Sequence, residues 1–193
     1  LFLRSITSAS ILSFVLTGLA SNDSVLLKLN SNTVGRTLAT GNYLTSFPIS
    51  INPFIHQGQS NLYVVLKDKA GNISSSGDTL LLTIDTYAPD IPIVGVRGSD
   101  DTGISSTDNY TSVTRPNFTI SNLNSGDSIV LRINNTIVAS DKADSSSLNL
   151  LPMFELAHGG YSLNADVIDI AGNQTSLEET IPPIPIIGID RLL

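Results

Sequence analysis

The sequence predicts an all-β fold made of two antiparallel sandwiches in series. Three observations indicate this. Serine, threonine and asparagine together supply 59 of the 193 residues while only 14% are charged, and such a composition favours turns and strands over helices. Apolar residues recur with period two in short runs bounded by turn residues. The chain also contains an internal repeat, which is the sequence signature of an array of similar domains.

The repeat is visible in three aligned pairs of segments. Phe14–Asn30 aligns with Phe118–Asn134 at an offset of 104 residues, and the turn Asp68–Asn72 aligns with Asp169–Asn173 at an offset of 101. A third pair aligns residues 88–96 with residues 181–189 at an offset of 93. The repeating unit is therefore about 90–100 residues long, which is the size of a small sandwich domain.

This register predicts a first domain over residues 1–86, a second over residues 87–181, and a third repeat or tail beginning at residues 182–193. The first copy lacks counterparts of residues 89–104. Its first strand is therefore expected to be missing, unless Leu1–Ile6 replaces it. The apolar N-terminal stretch resembles a signal peptide, but it has a counterpart deep inside the second copy, so we expect a strand there.

Alternation in the second copy predicts seven strands, near residues 91–96, 117–122, 128–134, 136–140, 147–151, 161–168 and 175–181. Alternate positions on a strand face the same side, so the apolar ones predict two separate cores. The second-copy core should contain Phe118, Ile120, Leu123, Ile129, Leu131, Ile133, Leu163, Ala165 and Val167. The first-copy core should contain Phe14, Leu16, Leu19, Val25, Leu27, Leu29, Leu62, Val64 and Leu66.

Charge and cysteine content exclude several classes of function. A net charge of −7 has the wrong sign for binding a phosphate backbone, so we expect no nucleic-acid partner. The absence of cysteine excludes disulfides, thiolate zinc sites and thiol nucleophiles. No apolar run approaches the roughly 18–20 residues of a membrane span, so we expect no membrane insertion in this segment. The sequence also contains no nucleophile elbow, phosphate loop or zinc-binding helix motif, and we expect no enzyme.

Three motifs carry a family resemblance: Asp68-Lys-Ala-Gly-Asn72, Thr83-Ile-Asp-Thr-Tyr-Ala-Pro89 and Asp101-Thr-Gly-Ile-Ser-Ser-Thr-Asp108. In this order and spacing they resemble the tandem bacterial immunoglobulin-like repeats of giant adhesins and biofilm-associated surface proteins. The resemblance implies immunoglobulin-like β-sandwich domains with about seven antiparallel strands each. It also implies an extracellular location on the bacterial cell surface, and a non-enzymatic role as a stalk or in cell adhesion and biofilm formation.

Similar adhesin repeats hold Ca²⁺ at domain junctions, so the resemblance implies Ca²⁺ as a cofactor that stiffens the array. Ca²⁺ prefers several oxygen ligands. The candidate ligands are Asp100, Asp101 and Asp108 in one loop, and Asp85, Asp127 and Asp169 at the opposite pole. The second linker departs from the pattern, with Glu178-Glu179 where the first has Asp85-Thr86. The alternative for every aspartate is that it caps a turn through bonds to the backbone.

The expected partners are neighbouring repeats of the same chain, and a host-cell or matrix ligand bound through other parts of the protein. The alternative function is a carbohydrate- or protein-binding accessory module of a secreted protein. Sugar-binding faces use stacked aromatic rings, whereas this chain has no tryptophan and five tyrosines that are scattered in sequence. The stalk or adhesion role is therefore the leading hypothesis.

Overall fold

The computed structural model describes residues 4–8, 11–50, 57–74, 79–176 and 184–186. The chain divides into two compact units, a first unit over Leu1–Tyr87 and a second unit over Ala88–Leu193. All regular elements in the described residues are β-strands, which confirms the predicted fold class. Within these residues there is accordingly no helix long and apolar enough to cross a membrane.

The described part of the first unit contains seven strands: β1 (Arg4–Thr7), β2 (Ile11–Thr17), β3 (Ser24–Leu29), β4 (Asn32–Leu38), β5 (Tyr43–Ser50), β6 (Gly58–Lys67) and β7 (Leu80–Ile84). Five of them form one sheet in the order β1-β7-β6-β3-β4. The other two, β2 and β5, pair antiparallel with each other in a second sheet. The apolar N-terminal stretch is thus a strand, as expected.

The edge strand β1 (Arg4–Thr7) overlaps Leu1–Ile6, the segment that was expected to replace a missing first strand. It pairs with β7 in parallel, with Arg4 opposite Leu81 and Thr7 opposite Ile84. The prediction of antiparallel strands is wrong for this one pair. The reason is that five other strands lie between β1 and β7 in the chain, so no hairpin joins the two and their relative direction is free.

The described part of the second unit contains β8 (Ile93–Val96), β9 (Phe118–Ser121), β10 (Ser128–Ile133), β11 (Thr136–Lys142), β12 (Ser147–Leu150), β13 (Gly159–Tyr161), β14 (Leu163–Ile168), β15 (Gln174–Ser176) and β16 (Ile184–Ile186). Its sheets have the orders β11-β10-β14-β15, β12-β9-β8 and β13-β16. The predicted strand 161–168 is divided at Ser162. This residue exchanges hydrogen bonds with Asn134 instead of continuing the ladder of β14.

The last strand, β16, comes from the segment that the sequence register assigned to a third repeat. Its residues pair antiparallel with β13, with Ile186 opposite Gly159. In the first unit, β7 makes the same pairing with the beginning of β6, with Ile84 opposite Gly58. An alternating apolar run can serve as a last strand as well as a first one, so sequence alignment does not separate the two. The other residues of 182–193 lie outside the described part, and a third repeat stays a prediction.

The core of the second unit is one buried cluster that contains all nine predicted residues, and Phe118, Ile120 and Leu131 in it are at most 1% exposed. The first unit is less completely packed. Five of its nine predicted core residues are buried: Leu19, Val25, Leu27, Leu29 and Leu62. The other four, Phe14, Leu16, Val64 and Leu66, are half-buried against them.

Candidate functional site

Asp169 closes the turn between β14 and β15. One carboxylate oxygen accepts a hydrogen bond from the backbone N–H of Asn173 at 2.9 Å, and the other accepts from the Asn173 side-chain amide at 2.8 Å. Gly172 within the turn has a φ of 91°, which favours glycine. Both oxygens of Asp169 therefore have donors inside their own turn, as the turn-capping alternative requires.

The equivalent turn of the first unit is built in the same way. The carboxylate of Asp68 accepts from the Asn72 backbone at 2.8 Å and from its side-chain amide at 2.7 Å. These bonds, the one from the side-chain amide foremost, hold the pKa of Asp68 below its ordinary value. The motif Asp-x-Ala-Gly-Asn is thus a self-contained turn, which explains why both copies carry it.

Asp127 also caps a turn, the one that precedes β10. It is 2% exposed, and its carboxylate accepts from the backbone N–H of Asn124 at 2.8 Å. Because Ser128 pairs with Ile168, the register places Asp127 beside Asp169 at one end of the sheet. The two candidate ligands therefore lie at the same end of the β10–β14 pair.

Asp85 lies at the end of β7 in the first unit. Its side chain accepts from the Gln57 amide at 2.9 Å and from the Tyr87 backbone at 3.2 Å, and its own N–H donates to the Thr7 carbonyl at 2.9 Å. These bonds join the ends of β1 and β7 to the segment before β6. Within the described residues, Asp85 belongs to a different unit from Asp127 and Asp169, and a shared pole stays a prediction.

The third group of candidate ligands lies in the loop Arg97–Asn117, which joins β8 to β9. A connection of 21 residues without regular strands is long for a compact domain and is usually functional. Asp100 anchors its two ends, because its carboxylate accepts from the Asn117 backbone at 2.7 Å and side chain at 2.9 Å. The Asn117 backbone bond is the main reason that the pKa of Asp100 is below its ordinary value.

Asp101 differs from every other candidate. It is only 5% exposed, and one carboxylate oxygen, Oδ2, accepts from the Asn109 backbone at 3.0 Å. The other oxygen, Oδ1, is buried and has no hydrogen-bond partner among the described residues. A buried carboxylate oxygen without a donor destabilises the fold unless a cation or water compensates it. Among the described residues, Asp101 Oδ1 is the one buried side-chain oxygen or nitrogen without a hydrogen-bond partner.

Further oxygen atoms lie in the same loop. Asp108 accepts from the Tyr110 backbone at 3.1 Å through one carboxylate oxygen. Gly103 lies against these oxygens, since a Cβ at this position would make ordinary contacts of 3.4 Å with the Tyr110 carbonyl oxygen and 3.7 Å with Asp108 Oδ1. Carboxylate and carbonyl oxygens are the ligands that Ca²⁺ takes, so the loop fits a hard cation.

Acidic side chains alone do not complete such a site. In the described ranges, no three Asp, Glu or His side chains gather closely enough to hold a metal ion. A cation at Asp101 would therefore depend on backbone carbonyls and hydroxyls of the loop. Glu178 and Glu179, which were named for the second linker, lie outside the described residues.

Asn109 is a residue next to the candidate site that sequence reasoning did not single out. Its side-chain oxygen accepts from the Val96 backbone at 2.8 Å, and its own N–H donates to Asp101. It therefore joins β8 to the candidate site. Asn109 has a φ of 61°, and asparagine tolerates this left-handed conformation better than most residues. An asparagine in a loop rich in aspartate was the only sequence signal.

Comparison with known families supplies a name for this architecture. The family model "Bacterial Ig-like domain" matches residues 88–182, which covers nearly all of the described second unit. The second unit is a bacterial Ig-like domain. The resemblance noted from the sequence motifs is thus confirmed, and the long Asp101 loop lies within this Ig-like domain.

Three solved structures give weaker likenesses. A Ca²⁺-stabilised adhesin of an Antarctic bacterium that binds ice has a TM-score of 0.45 and 18% identity, over 88% of this chain and 42% of that one. The ligand-binding domain of human OSCAR has a TM-score of 0.38 and 12% identity, over 89% and 88% of the two chains. The Bacteroides ovatus glucan-utilisation protein SGBP-B, solved with a mixed-linkage heptasaccharide, has a TM-score of 0.31 and 14% identity, over 95% and 42%.

This chain therefore spans less than half the length of the adhesin structure. None of the three TM-scores reaches 0.5. No curated protein sequence matches the chain. The functional proposal below depends on the family match and on the geometry of the two units.

Proposed function

We propose that this chain is a non-enzymatic structural segment of a bacterial surface protein, in which tandem Ig-like copies form a stalk for cell adhesion and biofilm formation. The supporting observation is an asparagine side chain that accepts a backbone hydrogen bond at the equivalent position of both units. Asn30 accepts from the Asn61 backbone at 2.9 Å, and Asn134, which lies 104 residues later, accepts from the Ser162 backbone at 3.3 Å. Both asparagines have positive φ, of 54° and 48°. Both units thus have the same asparagine hydrogen bond and the same backbone conformation at equivalent positions. This repetition favours a repeating spacer over a single binding module.

The test replaces the segment in the parent surface protein. A stalk contributes length, so substitution of residues 1–181 by two unrelated sandwich domains should preserve adhesion of cells to their substrate, while deletion should reduce it. Adhesion that is lost in the length-matched replacement would contradict the stalk role. It would instead support the accessory binding module, because only a specific binding surface would then have been removed.

We also propose that Ca²⁺ binds in the Asp101 loop of the Ig-like domain. Asp101 Oδ1 would be a ligand, together with Asp108 and carbonyl oxygens of the loop. The ion would supply the positive charge that a buried carboxylate requires. In this proposal Asp100 anchors the loop, and Asp85, Asp127 and Asp169 keep the turn-capping bonds described above.

Calorimetry of the chain after chelation tests this proposal. A ligand that binds only the folded state raises its stability, so Ca²⁺ should raise the melting temperature of the Ig-like domain. Asp101→Asn should abolish that increase. Asp169→Asn is the matched control, because it changes a turn-capping aspartate of the same domain and should leave the Ca²⁺-dependent increase intact. An unchanged melting temperature up to millimolar Ca²⁺ would contradict the proposal.

A further inference from the structure

Strand β8 lies at the edge of its sheet in the Ig-like domain, and successive N–H groups at its end point to opposite sides. The sheet order is β12-β9-β8, so among the described strands only β9 pairs with β8. Arg97, the residue after β8, donates to the Asn117 carbonyl on the side of β9 at 2.8 Å. The preceding N–H, that of Val96, donates instead to the side-chain oxygen of Asn109 at 2.8 Å. The loop between β8 and β9 therefore covers the open edge of β8 at this point.

The contact between Asn109 and β8 is close. A Cβ at Gly95 would lie 3.2 Å from Asn109 Oδ1, which is tighter than an ordinary contact, so glycine leaves the room that the asparagine side chain occupies. Natural proteins protect an edge strand by covering it or by placing charged residues on it. The four residues of β8 include no charge. The loop therefore provides the protection that the composition of β8 does not.

Asn109 also contacts the proposed cation site. Its backbone N–H donates to Asp101 Oδ2 at 3.0 Å, and the Asp101 backbone N–H donates to the Arg97 carbonyl at 3.0 Å. Together with the bond from Val96, these bonds form a closed ring that starts and finishes at the end of β8. Asn109 also directly follows Asp108 in the chain. The two side chains assigned to Ca²⁺ above therefore hold Asn109 from two directions, one by a hydrogen bond and one through the backbone.

The base of the loop is held by bonds that do not involve Asn109. Asp100 accepts from the Asn117 backbone and side chain, and Thr111, which is 2% exposed, donates its hydroxyl to the Asp100 carbonyl. A substitution of Asn109 can therefore remove the contact with β8 while the base of the loop keeps its bonds.

We propose that Asn109 links occupancy of the Asp101 site to the edge of β8, so that this edge is closed in the Ca²⁺-loaded domain and opens more often after chelation. The inference rests on the Ca²⁺ proposal above and adds the element that the cation controls. Local opening of the loop breaks the Asn109 bonds to Asp101 and to Val96 together. Anything that stabilises one part of the ring therefore reduces the opening of the other, and the coupling is reciprocal.

Amide hydrogen exchange of the 193-residue chain, measured by NMR with and without Ca²⁺, tests this link at single residues. The N–H of residue 109 reports on Asp101, and the N–H of Val96 reports on the edge of β8. Isothermal titration supplies the Kd. At roughly 100 times Kd, a ligand that binds only the closed loop should slow exchange of both amides about 100-fold. The Asn173 N–H, which donates to the turn-capping Asp169, is the control and should keep its rate.

The variant Asn109→Gly separates the link from the cation site. Glycine adopts the φ of 61° without strain and keeps the N–H that donates to Asp101, but it has no oxygen for Val96. The residue-109 N–H should therefore still slow with Ca²⁺, whereas the Val96 N–H should exchange fast at every Ca²⁺ concentration. Asn109→Asp keeps a side-chain oxygen and should restore the response of Val96. Thermal melts by circular dichroism check that each variant is folded.

The outcomes distinguish this inference from the cation proposal. A residue-109 N–H that responds to Ca²⁺ while the Val96 N–H does not would overturn the link and leave the cation site in place. A Val96 response that persists in Asn109→Gly would also overturn it, because the side-chain bond would then not carry the effect. No response at either amide, with no heat of binding in the titration, would contradict the cation site and this inference with it.

Discussion

Phe14 and Phe118 occupy equivalent positions 104 residues apart, but Phe118 is 1% exposed whereas Phe14 is only half-buried. Strand β8 covers the edge beside Phe118, and no described strand covers the edge beside Phe14. We expect Phe118→Ala to lower the free energy of unfolding by about 3–5 kcal/mol, and Phe14→Ala to cost clearly less. Urea unfolding of both variants measures the difference. Equal costs would mean that the inner face of β2 is fully covered in solution.

Leu131 and Leu27 provide a matched pair in the two cores, with 0% and 1% exposure. Truncation of either to alanine should cost about 2–5 kcal/mol through lost burial and the remaining cavity. Because the two residues belong to separate clusters, each variant should shift only the calorimetric transition of its own unit. A single transition that moves as a whole in both variants would contradict independent cores.

Gly126 and Gly71 allow backbone strain to be separated from steric overlap. Both have positive φ, of 101° and 96°, so alanine at either position should cost about 1–2 kcal/mol. At Gly126 the added Cβ would also lie 2.5 Å from Ile170 Cδ1, whereas at Gly71 the nearest atom is 3.9 Å away. Gly126→Ala should therefore be the more destabilising variant in urea unfolding. Adding Ile170→Ala should recover the excess, and no recovery would exclude this overlap as the cause.

The Asp100 carboxylate should make the free energy of unfolding depend on pH in the acid range. Hydrogen bonds from Asn117 favour the ionised carboxylate and lower its pKa in the folded state below the ordinary value of 3.8. Its contribution to stability is therefore present above that ordinary value, and it is lost as the pH falls through the lower folded-state pKa. Asp100→Asn should reduce stability at neutral pH and weaken the decline in acid. Unfolding free energies from pH 7 down to about pH 2 would show this, and parallel curves for both proteins would contradict it.

The core was predictable from sequence because it depends on local alternation. Strand residues two apart share a face, so Ile129, Leu131 and Ile133 could be assigned to one side of β10 without knowledge of its neighbours. The parallel pairing of β1 could not be predicted in this way. The pairing depends on which of the two sheets β1 joins. β1 has only four residues of mixed polarity, and this pattern does not predict which sheet it joins.

The roles of the individual aspartates could not be predicted from the sequence either. Asp101 and Asp169 both stand in loops beside glycine and asparagine, and the sequence rules for turns and for Ca²⁺ apply equally to both. The structure distinguishes them by the donors that reach each oxygen. Asn173 supplies two donors to Asp169 from four residues away, whereas Asn109 supplies one to Asp101 and leaves Oδ1 without a partner. The folded path of each loop decides this difference.

The parallel pairing of β1 with β7 also determines how the first unit responds to tension. Arg4 lies opposite Leu81 and Thr7 lies opposite Ile84, so a pull on the start of β1 and on the end of β7 acts along the strands in opposite directions. The hydrogen bonds between them are then loaded together in shear, rather than opened one after another as at the end of a hairpin. Asp85 adds a further bond to Thr7 at the point where the chain leaves the unit. A unit fastened in this way resists a pull between its two ends until these hydrogen bonds break together.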